Sequence, residues 1–228
     1  MRSYFDDQLS RLNSELLMMG ALCEDAISCA VKCLTESDPK MKEGAQSAEC
    51  EIDRKEREIE QLCMKLLVRQ QPVATDFRTV TAALKMISDM ERIGDQSRDI
   101  AEIAEYVTSV GLQAKINVAD MARAAVEMVT QSVNSFVRRD IETARSVAAM
   151  DDRVDSLFIK IKNELIAAVQ NGHENAEALV DLLMIAKYFE RIGDHAENIA
   201  EWVVYAITGE HKNLIGGSEK AIENPASM

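Results

Sequence analysis

Turn formers and rings are scarce in this chain of 228 residues, which has nine Gly, three Pro, five Phe, four Tyr and one Trp. So few breakers, set against abundant Ala, Glu, Met, Leu and Arg, exclude a strand-rich fold and favour helix nearly everywhere. Positive charge is also short. Lys and Arg total 26 against 39 Asp and Glu, a formal net charge of -13, and no local basic stripe stands out. Direct binding to nucleic acid or to an anionic membrane surface would work against electrostatics and is set aside. No stretch reaches the roughly 18 consecutive apolar residues of a spanning helix, so no membrane insertion is expected. Met1 to Asp7 is acidic almost at once and leads into no apolar core of a secretory signal.

The cysteines are odd in number (Cys23, Cys29, Cys33, Cys50, Cys63) and contain no Cys-x-x-Cys. They suit small buried hydrophobes in a reducing compartment, and the expected location is cytoplasmic. Cys29 and Cys33, four apart, lack partners spaced to complete a soft-metal site. Histidine is limited to His173 in a turn, His195 beside Asp194 and His211 in the tail. The Glu-x-x-His pairs of ferritin-like di-iron bundles are therefore missing, which speaks against a metalloenzyme.

What remains is 47% hydrophobic and 29% charged, an ordinary globular balance in a chain long enough for one large or two small domains. Apolar residues recur at three and four from Tyr4 to about Glu36, through Leu9, Leu12, Leu16, Met19, Leu22, Ala26, Ala30 and Cys33. Asp38 and Pro39 suit an N-cap and first helical position for a second helix, to about Gln70, with Ile52, Ile59, Leu62, Leu66 and Leu67 inward. A third helix, capped by Thr75 or Asp76, runs to about Val110 with Val80, Leu84, Ile87, Ile93 and Ile100 inward and ends at Gly111. The fourth spans about Ile116 to Val137. The fifth is capped by Asp140 and reaches about Val169, Asn171-Gly172-His173 turns the chain, and the sixth spans about Asn175 to Ile207. Three helices are thus followed by three more. The expectation is all-α: two tandem three-helix bundles related by pseudo-twofold symmetry, residues 1–111 and 112–209, with a mobile tail over 210–228 that carries Gly216-Gly217-Ser218.

One string occurs twice. Glu91-Arg92-Ile93-Gly94-Asp95 returns 99 positions later as Glu190-Arg191-Ile192-Gly193-Asp194, and Asp99-Ile100-Ala101-Glu102 as Asn198-Ile199-Ala200-Glu201. Residues four apart lie one helical turn above each other, so Glu91, Asp95 and Asp99 form one column and Glu190, Asp194 and Asn198 another. The preceding helices carry Glu49-x-x-x-Asp53 and Asp151-x-x-x-Asp155. Glu49 and Asp95 are equally far from Pro72, as are Asp53 and Glu91. In the second half, both pairs are symmetric about the Gly172-His173 turn. Each antiparallel hairpin therefore brings its acidic pairs side by side. Two readings are open. Carboxylates from neighbouring helices are the ligands hard cations prefer. Equally, these are solvated faces or ion pairs with Arg54, Arg92, Arg98 and Arg191. Gly94 and Gly193 sit mid-helix at the acidic level, where they either admit a neighbouring helix or are tolerated weakness. His195 points about 100° from its column and reads as a surface or packing residue. Trp202 and Tyr205 are core or interface residues. No cluster of arginines or helix N-termini stands out to receive phosphate itself.

The repeated Glu-Arg-Ile-Gly-Asp, the Gln71-Pro72-Val73-Ala74-x-Asp76-x-Arg78 stretch and the Asn198-Ile199-Ala200-Glu201 continuation resemble the PhoU family, accessory and regulatory proteins of bacterial high-affinity phosphate uptake. The resemblance spans about Tyr4 to Gly209, although the second half has no counterpart of Gln71-Pro72-Val73-Ala74. It implies a pair of three-helix bundles, a homodimer, and multinuclear iron, zinc, manganese or magnesium sites. Those sites fall on Glu49, Asp53, Glu91, Asp95 and Asp99, and on Asp151, Asp155, Glu190, Asp194 and Asn198. Because Asn198 brings an oxygen but no charge, the second site is expected to hold a cation more weakly. The resemblance further implies a non-enzymatic adaptor with no catalytic residues. It would link the phosphate ABC transporter ATPase to a sensor histidine kinase, peripheral at the inner membrane through these partners, and repress the phosphate-starvation response when phosphate is plentiful. The competing expectations are a carboxylate-bridged metalloenzyme and a purely structural helical interaction module.

Overall fold

The computed structural model describes residues 2–36, 39–70, 72–108, 118–172 and 175–211. Six helices run in order: α1 Arg2–Glu36, α2 Pro39–Gln70, α3 Ala74–Thr108, α4 Ala119–Arg138, α5 Ile141–Gln170 and α6 Ala176–Thr208. The expected caps at Asp38 and Gly111, the turn residue His173 and the glycines of the tail lie outside the described residues.

Side-chain and backbone chemistry set the ends. Asp140, with extended backbone, accepts from the Glu142 and Thr143 amides at 3.1 Å each and starts α5. Asn175 accepts from the Ala178 amide at 3.1 Å and starts α6, while Gly209 at φ 85° closes it by donating to the Tyr205 carbonyl. Neither Thr75 nor Asp76 caps α3. The helix begins at Ala74, with the Val73 carbonyl accepting from the amides of Asp76 and Phe77.

The three- and four-residue spacing of apolar positions builds one core. Of the α1 stripe, Leu12, Leu16, Met19, Ala26, Ala30 and Cys33 are buried, and Leu9 and Leu22 rest half-covered against them. On α2 and α3, Ile52, Ile59, Leu62, Leu66, Val80, Ile87, Ile93 and Ile100 are buried, and Leu67 and Leu84 are partly covered. Cys23, Cys33 and Cys63 are buried among them, and burial pushes the Cys63 thiol up to about 12; Cys29 is half-buried and Cys50 lies exposed beside Glu49. Trp202 and Tyr205 are partly buried and meet edge to face, with the His211 ring 4.1 Å from the indole at a 40° tilt and itself buried.

Helices α1, α2 and α3 pack on one another, as do α4, α5 and α6. The bundles join through α3 against α6, the most extensive pairing in the molecule, and through α1 against α4. Each join thus sets a helix against its own repeat equivalent, the pattern a pseudo-twofold axis generates. Within each bundle, a mid-helix glycine governs how closely the hairpin closes. A Cβ on Gly94 would lie 2.9 Å from Ile52 Cδ1, and one on Gly193 would lie 3.1 Å from Asp151 Oδ1 and 3.3 Å from Val154 Cγ1. The two glycines therefore admit equivalent side chains at equivalent levels. Gly94→Ala is expected to lose about 1 kcal/mol or more through overpacking, despite the helix propensity it gains. In an Ile52→Val background, which removes Cδ1, the same alanine should be neutral or stabilising. Urea unfolding of the four proteins of the cycle would show this as coupling, whereas additive effects would mean that Gly94 is not there for close approach.

Candidate metal centre

Close approach at Gly94 and Gly193 is what draws the carboxylates of each hairpin together, yet the two clusters differ in what surrounds them. In the first repeat, the Arg98 guanidinium stands among the acids. Its Nη1 is 2.5 Å from Glu49 Oε1 and 3.5 Å from Asp95 Oδ1, and its Nη2 is 3.3 Å from Asp99 Oδ1. Arg92 reaches Glu91 and Asp95 at 3.5 Å each, and Arg57 pairs with Asp53 at 3.3 Å. All five acids assigned to this site therefore have an arginine partner. Of the arginines the sequence offered, Arg92 and Arg98 neutralise the column, whereas Arg54 turns to Glu51 and Glu58 at 2.5 Å. Glu91 is still held above its ordinary carboxylate range, by burial first and Asp95 second.

Among the described residues of the second repeat, no arginine pairs with Asp151, Asp155, Glu190 or Asp194. Asp151 feels the charges of Glu197, Asp155, Asp194 and Glu190, and its Oδ1 is buried without a hydrogen-bond donor. Burial first, and those carboxylates next, push Asp151 up to about 7. Asp194 is also raised, by burial and then by Glu190. The nearby ammonium of Lys187 lies 2.5 Å from both Glu190 oxygens and 5.5 Å from the Phe158 ring centroid. Asn198 does not turn towards this cluster. Its amide nitrogen lies 3.4 Å from Asp89 Oδ1 on α3, where His195 Nδ1 also sits at 2.9 Å. Both residues thus tie the two bundles together, and His195, expected as a surface or packing residue, makes a polar contact to Asp89 of the other bundle.

Among the described residues, no three His, Cys, Asp or Glu side chains stand close enough together to hold one metal ion. By charge, the second cluster fits a hard cation better than the first. Its oxygens are under-neutralised, and Asp151 Oδ1 lacks a partner, whereas Arg98 fills the equivalent place in the first repeat. Reading down one column at a time hides this difference. It appears when the two repeats are written one beneath the other, where Arg98 falls on Glu197. Lys187 and Asp89 lie outside both strings and gave no signal.

A carboxyl raised in the folded state favours folding while it is protonated. That contribution is complete below about pH 3.8 and is lost as pH climbs through about 7. In chelator-treated protein, Asp151→Asn should therefore melt close to wild type at pH 4.5 and above it at pH 8. Parallel melting curves across that range would rule out the strained carboxyl.

Both repeats match the family model described as the PhoU domain, over residues 16–104 and 118–203. The chain is 33% identical over 215 residues to a Clostridium acetobutylicum protein named phosphate-specific transport system accessory protein PhoU homolog, which covers 93% of this chain and 98% of that one. The crystal structure of PhoU from Pseudomonas aeruginosa superposes with a TM-score of 0.84 at 31% identity, over 90% of this chain and all of that one. The phosphate transport system regulatory protein PhoU from Streptococcus pneumoniae gives 0.82 at 27% identity, over 90% and 98%. Two three-helix repeats that each carry the Glu-Arg-Ile-Gly-Asp string at the level of a close helix approach, and that match along almost their whole length, place this chain in the PhoU family.

Proposed function

We propose that this protein is a non-enzymatic accessory and regulatory protein of phosphate uptake. It couples the ATPase of a phosphate ABC transporter to a sensor histidine kinase and represses the phosphate-starvation response when phosphate is plentiful. The observation that carries this reading is the match of both repeats to relatives named as accessory or regulatory proteins of phosphate transport. The physical properties agree with it. Five helices of about 30 residues or more and one of 20 present long surfaces, the net charge of -13 suits basic partner surfaces, and no helix among the described residues is long and apolar enough to cross a membrane. In this reading the protein works in the cytoplasm as a homodimer and meets the inner membrane through its partners. Its units are residues 1–111 and 112–209, followed by a tail from 210; of that tail, Glu210 and His211 are described, His211 being buried, and 212–228 lie outside the described residues.

We also propose that the acidic clusters hold iron, zinc, manganese or magnesium. Asp151, Asp155, Glu190 and Asp194 are the first to load, with Asn198 occupied at Asp89. Glu49, Asp53, Glu91, Asp95 and Asp99 would bind only once Arg98 withdraws. A bound cation would neutralise the like charges and fix α5 against α6.

Deleting the gene should leave phosphate-starvation genes expressed in high phosphate, and the intact gene should restore repression; a deletion strain that still represses would contradict the adaptor reading. Elemental analysis of purified protein should find metal that falls at least severalfold in Asp151→Asn with Asp155→Asn. If Asp95→Ala with Asp194→Ala leaves repression untouched, the clusters play no part in signalling.

A further inference from the structure

Between α1 and α2, the acids of the middle turns are fully engaged. Lys55 draws in Glu15 at 2.6 Å and Glu58 at 3.1 Å, and Arg54 holds Glu58 at 2.5 Å. Further along α2 stand two more cations, Lys65 and Arg69, four apart and so on one face of the helix. Among the described residues, neither of them meets a carboxylate or makes a hydrogen bond. Arg11 of α1 faces the same space, 3.7 Å from a Glu15 that Lys55 already holds more closely.

These side chains line an open groove of about 360 Å³. Gln8 and Arg11 stand on the α1 side, Gln61, Lys65 and Arg69 on the α2 side, and the buried Leu62 lies between. Glu58 also lines it, with its charge met by Arg54 and Lys55. Three cations thus give the groove a charge opposite to the molecule's net -13. The fold does not require them: with α2 laid on α5 so that Ile52 meets Val154, Ala167 and Asn171 stand where Lys65 and Arg69 are. The dipole of α2 accounts for Arg69 in its last turn, but not for Lys65 a turn earlier or for Arg11 on another helix. Beside the cationic pair runs an apolar pair at the same spacing, Met64 and Val68, which are 50% and 72% exposed.

We infer that the end of α2 is a docking surface for an acidic amphipathic helix of a partner protein, whose carboxylates one turn apart meet Lys65 and Arg69 and whose apolar side chains cover Met64 and Val68. Two stripes of period four on one helix are matched by two such stripes on another laid along it. Arg11 adds a third charge from α1, and its planar fork suits a carboxylate. A second copy of this chain is the poorer occupant. It would bring a net charge of -13 to a molecule of the same sign, and a groove filled by a different surface of an identical chain propagates unless the rotation closes. The inference deepens the adaptor reading and takes from it only that a protein partner exists.

The test uses the full-length protein with its leucine, methionine and valine methyls labelled for NMR. The probe is a helical peptide with glutamates four residues apart beside a stripe of leucines, and its twin carries glutamine for each glutamate. The acidic peptide should shift the methyls of Leu62, Met64 and Val68 saturably and bind less tightly as salt is added, and the twin should bind at least tenfold more weakly. Lys65→Ala with Arg69→Asn, which copies the second repeat, should also lose at least tenfold in affinity at an unchanged melting temperature. Lys65→Arg with Arg69→Lys, which keeps both charges, should bind as wild type does. The inference fails if the twin binds equally, if neither peptide moves these methyls, or if the uncharged double variant binds as wild type does. Self-association abolished by that variant would make a second copy the occupant and overturn it. So would phosphatidylglycerol vesicles or inorganic phosphate moving the same methyls and displacing the peptide, or removal of residues 212–228 shifting them with no peptide present. If the peptide fails while gene deletion still releases the starvation response, the docking surface falls and the adaptor reading stands; if it binds while the deletion strain still represses, the reverse holds.

Discussion

The close approach of two antiparallel helices at a mid-helix glycine is the constraint from which the rest follows. Gly94 lets Ile52 sit against α3, and Gly193 lets Asp151 and Val154 sit against α6. Once the helices are that close, acids on neighbouring helices feel one another's charge, as Glu91 feels Asp53 and Asp151 feels Glu190 and Asp194. On an exposed helix, like charges a turn apart cost only a few tenths of a kcal/mol. Half-buried between helices the local dielectric is lower, and the same charges repel several times more strongly. Compensation is therefore required, and the two repeats meet that need differently. The first has built it into the sequence as Arg98. The second has a carboxylate at that position, and Asp151 responds by holding its proton to about 7.

This asymmetry connects the fold to the proposed role. A repeat that carries its own counter-charge has a stable surface whatever is bound near it. If the proposed cation binds, a repeat that lacks such a counter-charge would change its charge with the cation that arrives. The most extensive helix pairing in the molecule, α3 on α6, runs between the two clusters, with Asp89, His195 and Asn198 linking them.

The sequence made most of the fold legible, because long amphipathic stripes with capping residues leave little choice. Asp140 and Asn175 act at the helix starts they were expected to mark. The register of the acidic pairs was legible as well, since distance from a turn fixes level in an antiparallel hairpin. What the helical period could not give was which way a side chain turns. Asn198 belongs to the acidic column by spacing, yet it bonds to Asp89, because α3 supplies an acceptor on that side. The start of α3 was misplaced for a comparable reason: the Val73 carbonyl accepts the first amides, a contact with no side-chain signature. Arg98 was in view as an ion-pair partner of its own column. Its pairing with Glu49 on the next helix, and the reversal of charge at Glu197, required the tertiary contact to be known.

The account rests on Arg98 doing for Glu49 in the first repeat what no donor among the described residues does for Asp151 Oδ1 in the second. Replacing Arg98 with Glu makes the first repeat electrostatically like the second, and the unfolding free energy of that variant, measured in urea against pH with metal removed, tests the claim most directly. The account predicts a loss of at least about 2 kcal/mol at pH 7.5, the cost of a half-buried carboxylate left without its partner, shrinking as pH falls to 4.5 and the carboxyls take up protons. A loss that is absent, or that stays the same across that range, would contradict it.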